Sequence, residues 1–306
     1  GFDKKTIDRI TPYVYVEEVK ILPPLNIKSI SKYGINSFRL QYSQNLNPSY
    51  GYTRTDDKGY KGDAFSSSFR YYFKYYDRME FSIVGDKDYG EPLYYKNKTY
   101  GYDSYNISFT LRDLTKHIKQ ITLGDYRLNI GEGLFINQNY DVGYFSNIYG
   151  VKKKNNRIMP FRSTSEYNYN KGFATKIELK NVDVFLFSSF DKIDYNGNIL
   201  STGYHRTERE ISEKDSNSEF MAGSSIQYTN KGLNIGASFL YYTFKDSIFH
   251  QNSDYQKYYF VGKENDVLAF NASYSMKKMI FFTEMARSMN AATSYLLGLQ
   301  WDISYK

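Results

Sequence analysis

Along most of this chain apolar and polar residues alternate with a period of two, the signature of half-buried β-strands. The pattern is clearest from Phe220 to Thr243, FMAGSSIQYTNKGLNIGASFLYYT. Beyond a turn at Asn230-Lys231-Gly232, Leu233, Ile235, Ala237, Phe239 and Tyr241 share one face, and Asn234, Gly236 and Ser238 take most of the other. The first arm sets Ala222, Ser224, Ile226 and Tyr228 against Gly223, Ser225 and Gln227. Asn and Gly tolerate the positive φ of a tight hairpin turn. The second face is too small and too polar to fill a core. It suits a wet lumen, with the Tyr- and Phe-bearing face against lipid, which is the layout of a transmembrane β-barrel.

The layout recurs along the chain. Phe38, Leu40 and Tyr42 alternate with Arg39, Gln41 and Ser43. Phe69, Tyr71, Phe73 and Tyr75 oppose Ser68, Arg70, Tyr72 and Lys74, and a tight turn at Asp77-Arg78 leads to Met79, Phe81 and Ile83. Tyr105, Ile107, Phe109 and Leu111 alternate with Asn106, Ser108, Thr110 and Arg112. Further strands are predicted over 120–130, 173–179, 182–188, 267–275, 278–288 and 293–305, making roughly twelve. A lipid-facing charge costs ~2–4 kcal/mol at mid-membrane, so Arg70 and Lys74 belong to the lumen or a rim. Phe185 and Phe187 fall on the side that is polar elsewhere, which implies an internal segment covering that strand from within.

Short turns alternate with long connections, as expected for periplasmic turns and external loops. Two insertions stand out, 131–164 and 191–218. In the second, Thr207 is predicted to N-cap a short helix through about Lys214, with Glu208, Glu210 and Glu213 paired to Arg206 and Arg209. The first carries a basic cluster, Lys152, Lys153, Lys154, Arg157 and Arg162, among Phe and Tyr. Three readings are open for it: a solvated surface loop, a lumen plug, or a contact for nucleic acid, whose single strands are held by basic and aromatic residues together. Arg112, Asp125, Arg127 and Glu132 are expected to form an internal ion network holding adjacent strands. Gly124, Gly131 and Gly133 are expected to permit bends or close backbone approach.

Composition changes the picture in three places. Mean hydropathy is −0.62, and no stretch approaches the ~18 apolar residues of a membrane helix; barrel strands escape such an average because they alternate. There are 34 Tyr and 22 Phe against one Trp, and Tyr suits a membrane interface, with an apolar ring and a wet hydroxyl. The absence of cysteine excludes disulfides and thiolate metal sites. The net charge of +7 is compatible with lipid phosphates or a polyanion. His117, His205 and His250 have no metal-ligand spacing and are expected on the surface or in loops. There is no Gly-x-Ser-x-Gly, no phosphate-cradling glycine loop and no HExxH. No catalytic residue, metal or cofactor is therefore predicted.

The opening stretch differs. Asp3 is placed to N-cap a short helix to about Pro12, with Ile7 and Ile10 as its apolar pair. Residues 20–34 read as a linker, in which Pro23-Pro24 favours an extended chain. Gly1-Phe2-Asp3 followed by Thr6, Ile7 and Ile10 resembles the second half of a helix-hairpin-helix repeat. Such repeats point backbone N–H groups at a DNA phosphate; Gly1, Asp3, Lys4 and Lys5 would be the phosphate-binding residues here. The chain as a whole is similar to a family of Bacteroidota outer-membrane β-barrel proteins that carry these repeats ahead of the barrel. The matching segments are Gly1 to Val19, Gly85 to Pro92 (GDKDYGEP), Leu123 to Leu128 (LGDYRL) with Gly131 to Leu134 (GEGL), Gly203 to Thr207 (GYHRT) and Glu284 to Ser288 (EMARS).

The resemblance implies an all-β fold, a transmembrane antiparallel β-barrel of meander topology with a short N-terminal helix. Residues 1–19 would end the repeat region on the periplasmic side. Residues 35–306 would form the barrel, with further strands downstream and a targeting segment upstream. The address would be the bacterial outer membrane. Expected partners are outer-membrane lipids, other envelope proteins, and DNA through upstream repeats. The expected function is a non-enzymatic channel or membrane platform in an envelope complex. A DNA-uptake barrel that holds phosphates through its repeats is the alternative, and an outer-membrane enzyme the second alternative.

Overall fold

A computed structural model of the protein describes residues 23–47, 49–96, 99–138, 156–250, 259–289 and 292–301, with Thr6, Lys152 and Ile303. Of the predicted amino-terminal helix Thr6 is described, and it is helical; Gly1, Asp3, Lys4 and Lys5 lie outside the described residues. The linker expected over 20–34 contains a helix, α1 (Ile27–Tyr33). Asn26 starts it by accepting a hydrogen bond from Ser29 N at 2.7 Å, a side-chain cap that an extended Pro-Pro reading overlooks.

Strands then follow as β1 (Ile35–Gln44), β2 (Phe65–Tyr75), β3 (Met79–Lys87), β4 (Tyr94–Tyr95), β5 (Thr99–Tyr100), β6 (Ser104–Arg112), β7 (Ile118–Ile130) and β8 (Ile136–Asn137). After these come β9 (Arg157–Pro160), β10 (Asn170–Leu179), β11 (Val182–Ile193), helix α2 (Glu208–Glu213) and β12 (Asn217–Asn230). The last are β13 (Leu233–Ile248), β14 (Gly262–Met276), β15 (Met279–Ser288) and β16 (Thr293–Trp301). Among the described residues twelve strands join in one antiparallel meander, β1-β2-β3-β6-β7-β10-β11-β12-β13-β14-β15-β16. The period-two segments of the sequence are these strands. The expected closed cylinder is not seen: among the described residues β1 pairs with β2 alone and β16 with β15 alone.

Register fixes which side chains share a face, because residues directly opposite point the same way. Lys74, Glu80 and Thr110 form one row across β2, β3 and β6; Gln227, Gly236, Asn271 and Glu284 form another across β12 to β15. These rows are on the buried side, where Ser82, Asn106, Ser108, Thr110, Thr122, Ser225, Gln227, Ser238, Asn271 and Glu284 are all buried. The opposite side is exposed and apolar: Tyr105, Ile107, Leu123, Phe173, Leu186, Ile226, Phe239, Leu268, Phe270, Phe281 and Leu297. A water-soluble sheet would bury the second set and expose the first. Here the arrangement is inverted.

The sheet also curls. The chain from Tyr126, still paired with β10, to Glu132 can extend about 21 Å. In a flat sheet β7 and β15 would lie about 29 Å apart, six steps of ~4.8 Å. Even with the Glu284 side chain added, a flat sheet would need those residues drawn straight across those six steps, yet 126–130 are paired with β9 and β8 and Glu132 N still donates to Glu284 of β15 at 2.9 Å. The buried apolar cluster tells the same story: Tyr126, Ala174, Phe185, Phe187, Met221, Leu240, Ala269 and Ala286 come from β7 and from β10 to β15, and they meet Phe135 and Ile158. Phe185 and Phe187 are thus covered by an internal segment, as their position in the alternation requires.

Candidate functional site

Two features lie on or within this frame. The first fills the concave side. Gly124 has φ +84°, and a side chain there would run into the Ile107 carbonyl. At this point β7 parts from β6, whose last pair is Ser108 with Gly124. Asp125 caps the break by accepting from Ile107 N at 2.6 Å. β9 takes β6's place along Tyr126 to Asn129, and β8 pairs with Asn129 and Ile130. From Asp125 onward β7 loses its alternation, and Asp125, Tyr126, Leu128, Asn129 and Ile130 are all buried. The described part of 131–164 lies against the concave side of the sheet.

That inner sheet is tied to the wall at both sides. Gln120 donates to Ile158 O at 3.1 Å and Asn106 to Ser163 O at 2.9 Å. On the far wall the Glu284 carboxylate accepts from Glu132 N at 2.9 Å, Leu134 N at 2.8 Å and Phe135 N at 3.1 Å. Gly131 at φ +81° turns the chain into this position, and a side chain there would strike the carboxylate.

The charged residues singled out from sequence go to separate places. Arg112 pairs with Glu80 at 3.0 Å, and Arg162 approaches the same carboxylate at 3.8 Å. Glu132 pairs with Lys152 at 3.6 Å. Arg127 donates to Asn168 O at 2.9 Å and lies over the Phe161 ring at 4.3 Å. Arg112 and Glu80 thus join β6 to β3, Arg162 ties the insertion to that pair, and Glu132 and Lys152 pair within the insertion. Within the basic cluster, Arg157 belongs to β9, and Lys153 and Lys154 lie outside the described residues.

The second feature sits at the end where the long connections gather: those after β1, β3, β7, β11 and β13. Thr207 caps α2 with a full capping box through Glu210, as the sequence predicted, and Arg209 pairs with Glu213 at 2.8 Å. The helix fixes the segment before it. Arg206 lies over Tyr204 at 4.0 Å and Tyr60 at 5.0 Å, and Lys61 N donates to Arg206 O at 2.7 Å. His205 lies in a loop, one of the two placements expected for it, but it is driven inward and is only 3% exposed rather than on the surface.

Its surroundings are carboxylates from different connections. Nδ1 lies 2.5 Å from Asp103 Oδ2, and Nε2 lies 2.8 Å from Asp194 Oδ2. Its backbone N–H donates to Glu91 Oε1 at 3.0 Å, and Glu166 Oε2 is 3.9 Å from Nδ1. Lys214 Nζ completes the group, 2.8 Å from Asp103 Oδ1. Burial works against the imidazolium, but the Asp103 and Asp194 hydrogen bonds outweigh it and hold the group up to about 10. Burial and the Asp103 charge push Glu91 up to about 7 and Glu166 up to about 8. Burial would also raise Asp103, but His205 and Lys214 hold it below the usual range.

Glu91, Asp103 and His205 bring ligand-type atoms within 4.8 Å of one another. Those atoms are already engaged: Glu91 by His205 N and Asp88 N, Asp103 by His205 and Lys214. The group is therefore complete as a clasp joining three connections, those after β3, β7 and β11. Both ring nitrogens of His205 face carboxylates, which favour its charged form. Sequence spacing could not have found it, since its partners stand 11, 102 and 114 positions away.

The chain matches no family model and no curated protein.

Proposed function

We propose that this chain forms the wall of an outer-membrane β-barrel that serves as a sealed, non-enzymatic platform in a larger envelope complex. One observation carries the reading: the sheet exposes its Tyr, Phe, Leu and Ile side and buries its Ser, Asn, Thr and Glu side. Lipid makes that distribution favourable, because exposed apolar surface gains roughly 25 cal/mol per Å² when removed from water. The short turns at one end and long connections at the other fit insertion from the periplasm, and the resemblance to repeat-bearing barrel proteins points to the same membrane.

Platform is favoured over open channel because the concave side is occupied by the inner sheet and its apolar cluster. The clasped connections then give the outer end a fixed shape on which a partner protein can dock. The single tryptophan, Trp301, lies on the outward side of β16 and is 55% exposed. In vesicles its fluorescence is expected to be blue-shifted and quenched by brominated phospholipids. An unquenched indole, with the protein recovered away from floated vesicles, would refute membrane residence.

A further inference from the structure

We propose that the segment from Gly131 to Asn137 is a latched plug, and that the Glu284 carboxylate is its latch. The inference rests on the barrel reading and adds to it a contact that keeps the interior shut. Glu284 is 1% exposed and stands mid-strand on β15. Its two oxygens receive three backbone N–H groups from residues 132 to 135. Successive N–H groups turned to one point form an anion-holding nest, and Gly131 at φ +81° with Gly133 at φ +117° supplies the backbone shape. Among the described residues this side chain ties the plug to the β15 wall through three hydrogen bonds, and the ties on the other side run from β6 and β7.

The wall facing the plug is lined by small residues. Gly223, Ser225, Gly236, Ser238, Ala269 and Ala286 share the concave face of β12 to β15. They do not fill the interior themselves; Phe135 and its neighbours do. Withdrawal of the plug therefore leaves room rather than collapse, and room beside Ser225, Ser238, Gln227 and Asn271 is wettable. The latch is specific in chemistry: a carboxylate accepts all three donors, whereas an amide offers one accepting oxygen and two competing N–H groups.

The test compares Glu284→Gln with Glu219→Gln, a half-buried carboxylate on the concave face of β12 that takes no part in the nest. Each is placed in an Ala269→Cys background, Ala269 being buried against the plug. Reaction with a water-soluble maleimide reads plug position in detergent micelles, and single-channel recording in planar bilayers reads the pore. The parent and Glu219→Gln are expected to stay shielded and silent. Glu284→Gln is expected to label at least about tenfold faster, the change from losing a charge-assisted hydrogen bond, and to show discrete openings. A folded Glu284→Gln protein as shielded and silent as the parent would overturn the latch, as would a parent that already conducts. Gly131→Val, which crowds the same carboxylate, supplies a second variant. Failure of vesicle flotation would speak against the barrel reading alone, because labelling in micelles still reports the latch.

Discussion

His205 shows how a single residue organises the loop end. Its imidazolium is held by two carboxylates, its backbone N–H by a third, and Lys214 neutralises part of the remaining charge. Removing one member of a buried ionic group leaves the others unpaired, at a cost of about 3–5 kcal/mol. His205→Ala is therefore expected to open the 194–216 connection to limited proteolysis while the strands stay intact. The pH dependence has a defined sign. Glu91, Glu166 and His205 all have pKa values above their ordinary ones, at about 7, 8 and 10. The folded state thus binds more protons than the unfolded state, and the clasp weakens as pH rises from about 5 to about 9. Protease resistance of this end should fall over that range, and the fall should shrink in Glu166→Gln. A resistance that rises with pH would contradict the assigned charges.

At the scale of elements, the strands of the meander were legible because a period of two survives whichever side faces water. Phe38, Leu40 and Tyr42, or Tyr105, Ile107 and Phe109, mark their strands without any knowledge of the partner. The cap of α2 was legible too, since Thr207 and Glu210 are three apart. The clasp was not, because Glu91 and Asp103 reach His205 from the connection after β3 and Glu166 reaches it from the one after β7. Nor was the departure of β7 into the interior: LGDYRLNI reads as one strand, and the single sign of a break is Gly124. Its φ of +84° costs a side-chain-bearing residue about 1–2 kcal/mol before any clash, and the Ile107 carbonyl adds one. Gly124→Val is expected to prevent the inner sheet from forming. The loss should appear as disappearance of the compact, heat-modifiable species on semi-native electrophoresis, whereas Gly197→Ala, with open space around it, should retain that species.

For the whole molecule the claim is one of inside and outside. The described strands bury serine, asparagine and glutamate while exposing phenylalanine and leucine, the distribution that the proposed hydrocarbon surroundings would favour. The absence of native cysteine permits the most direct test, a scan of single cysteines from Leu268 to Ser273 on β14, each carrying an environment-sensitive fluorophore in reconstituted vesicles. The account predicts a period of two: quenching by lipid-borne quenchers at Leu268, Phe270 and Ala272, and shielding from them at Ala269, Asn271 and Ser273. Uniform quenching by a water-soluble agent at 268, 270 and 272, with no response to the lipid-borne one, would contradict it.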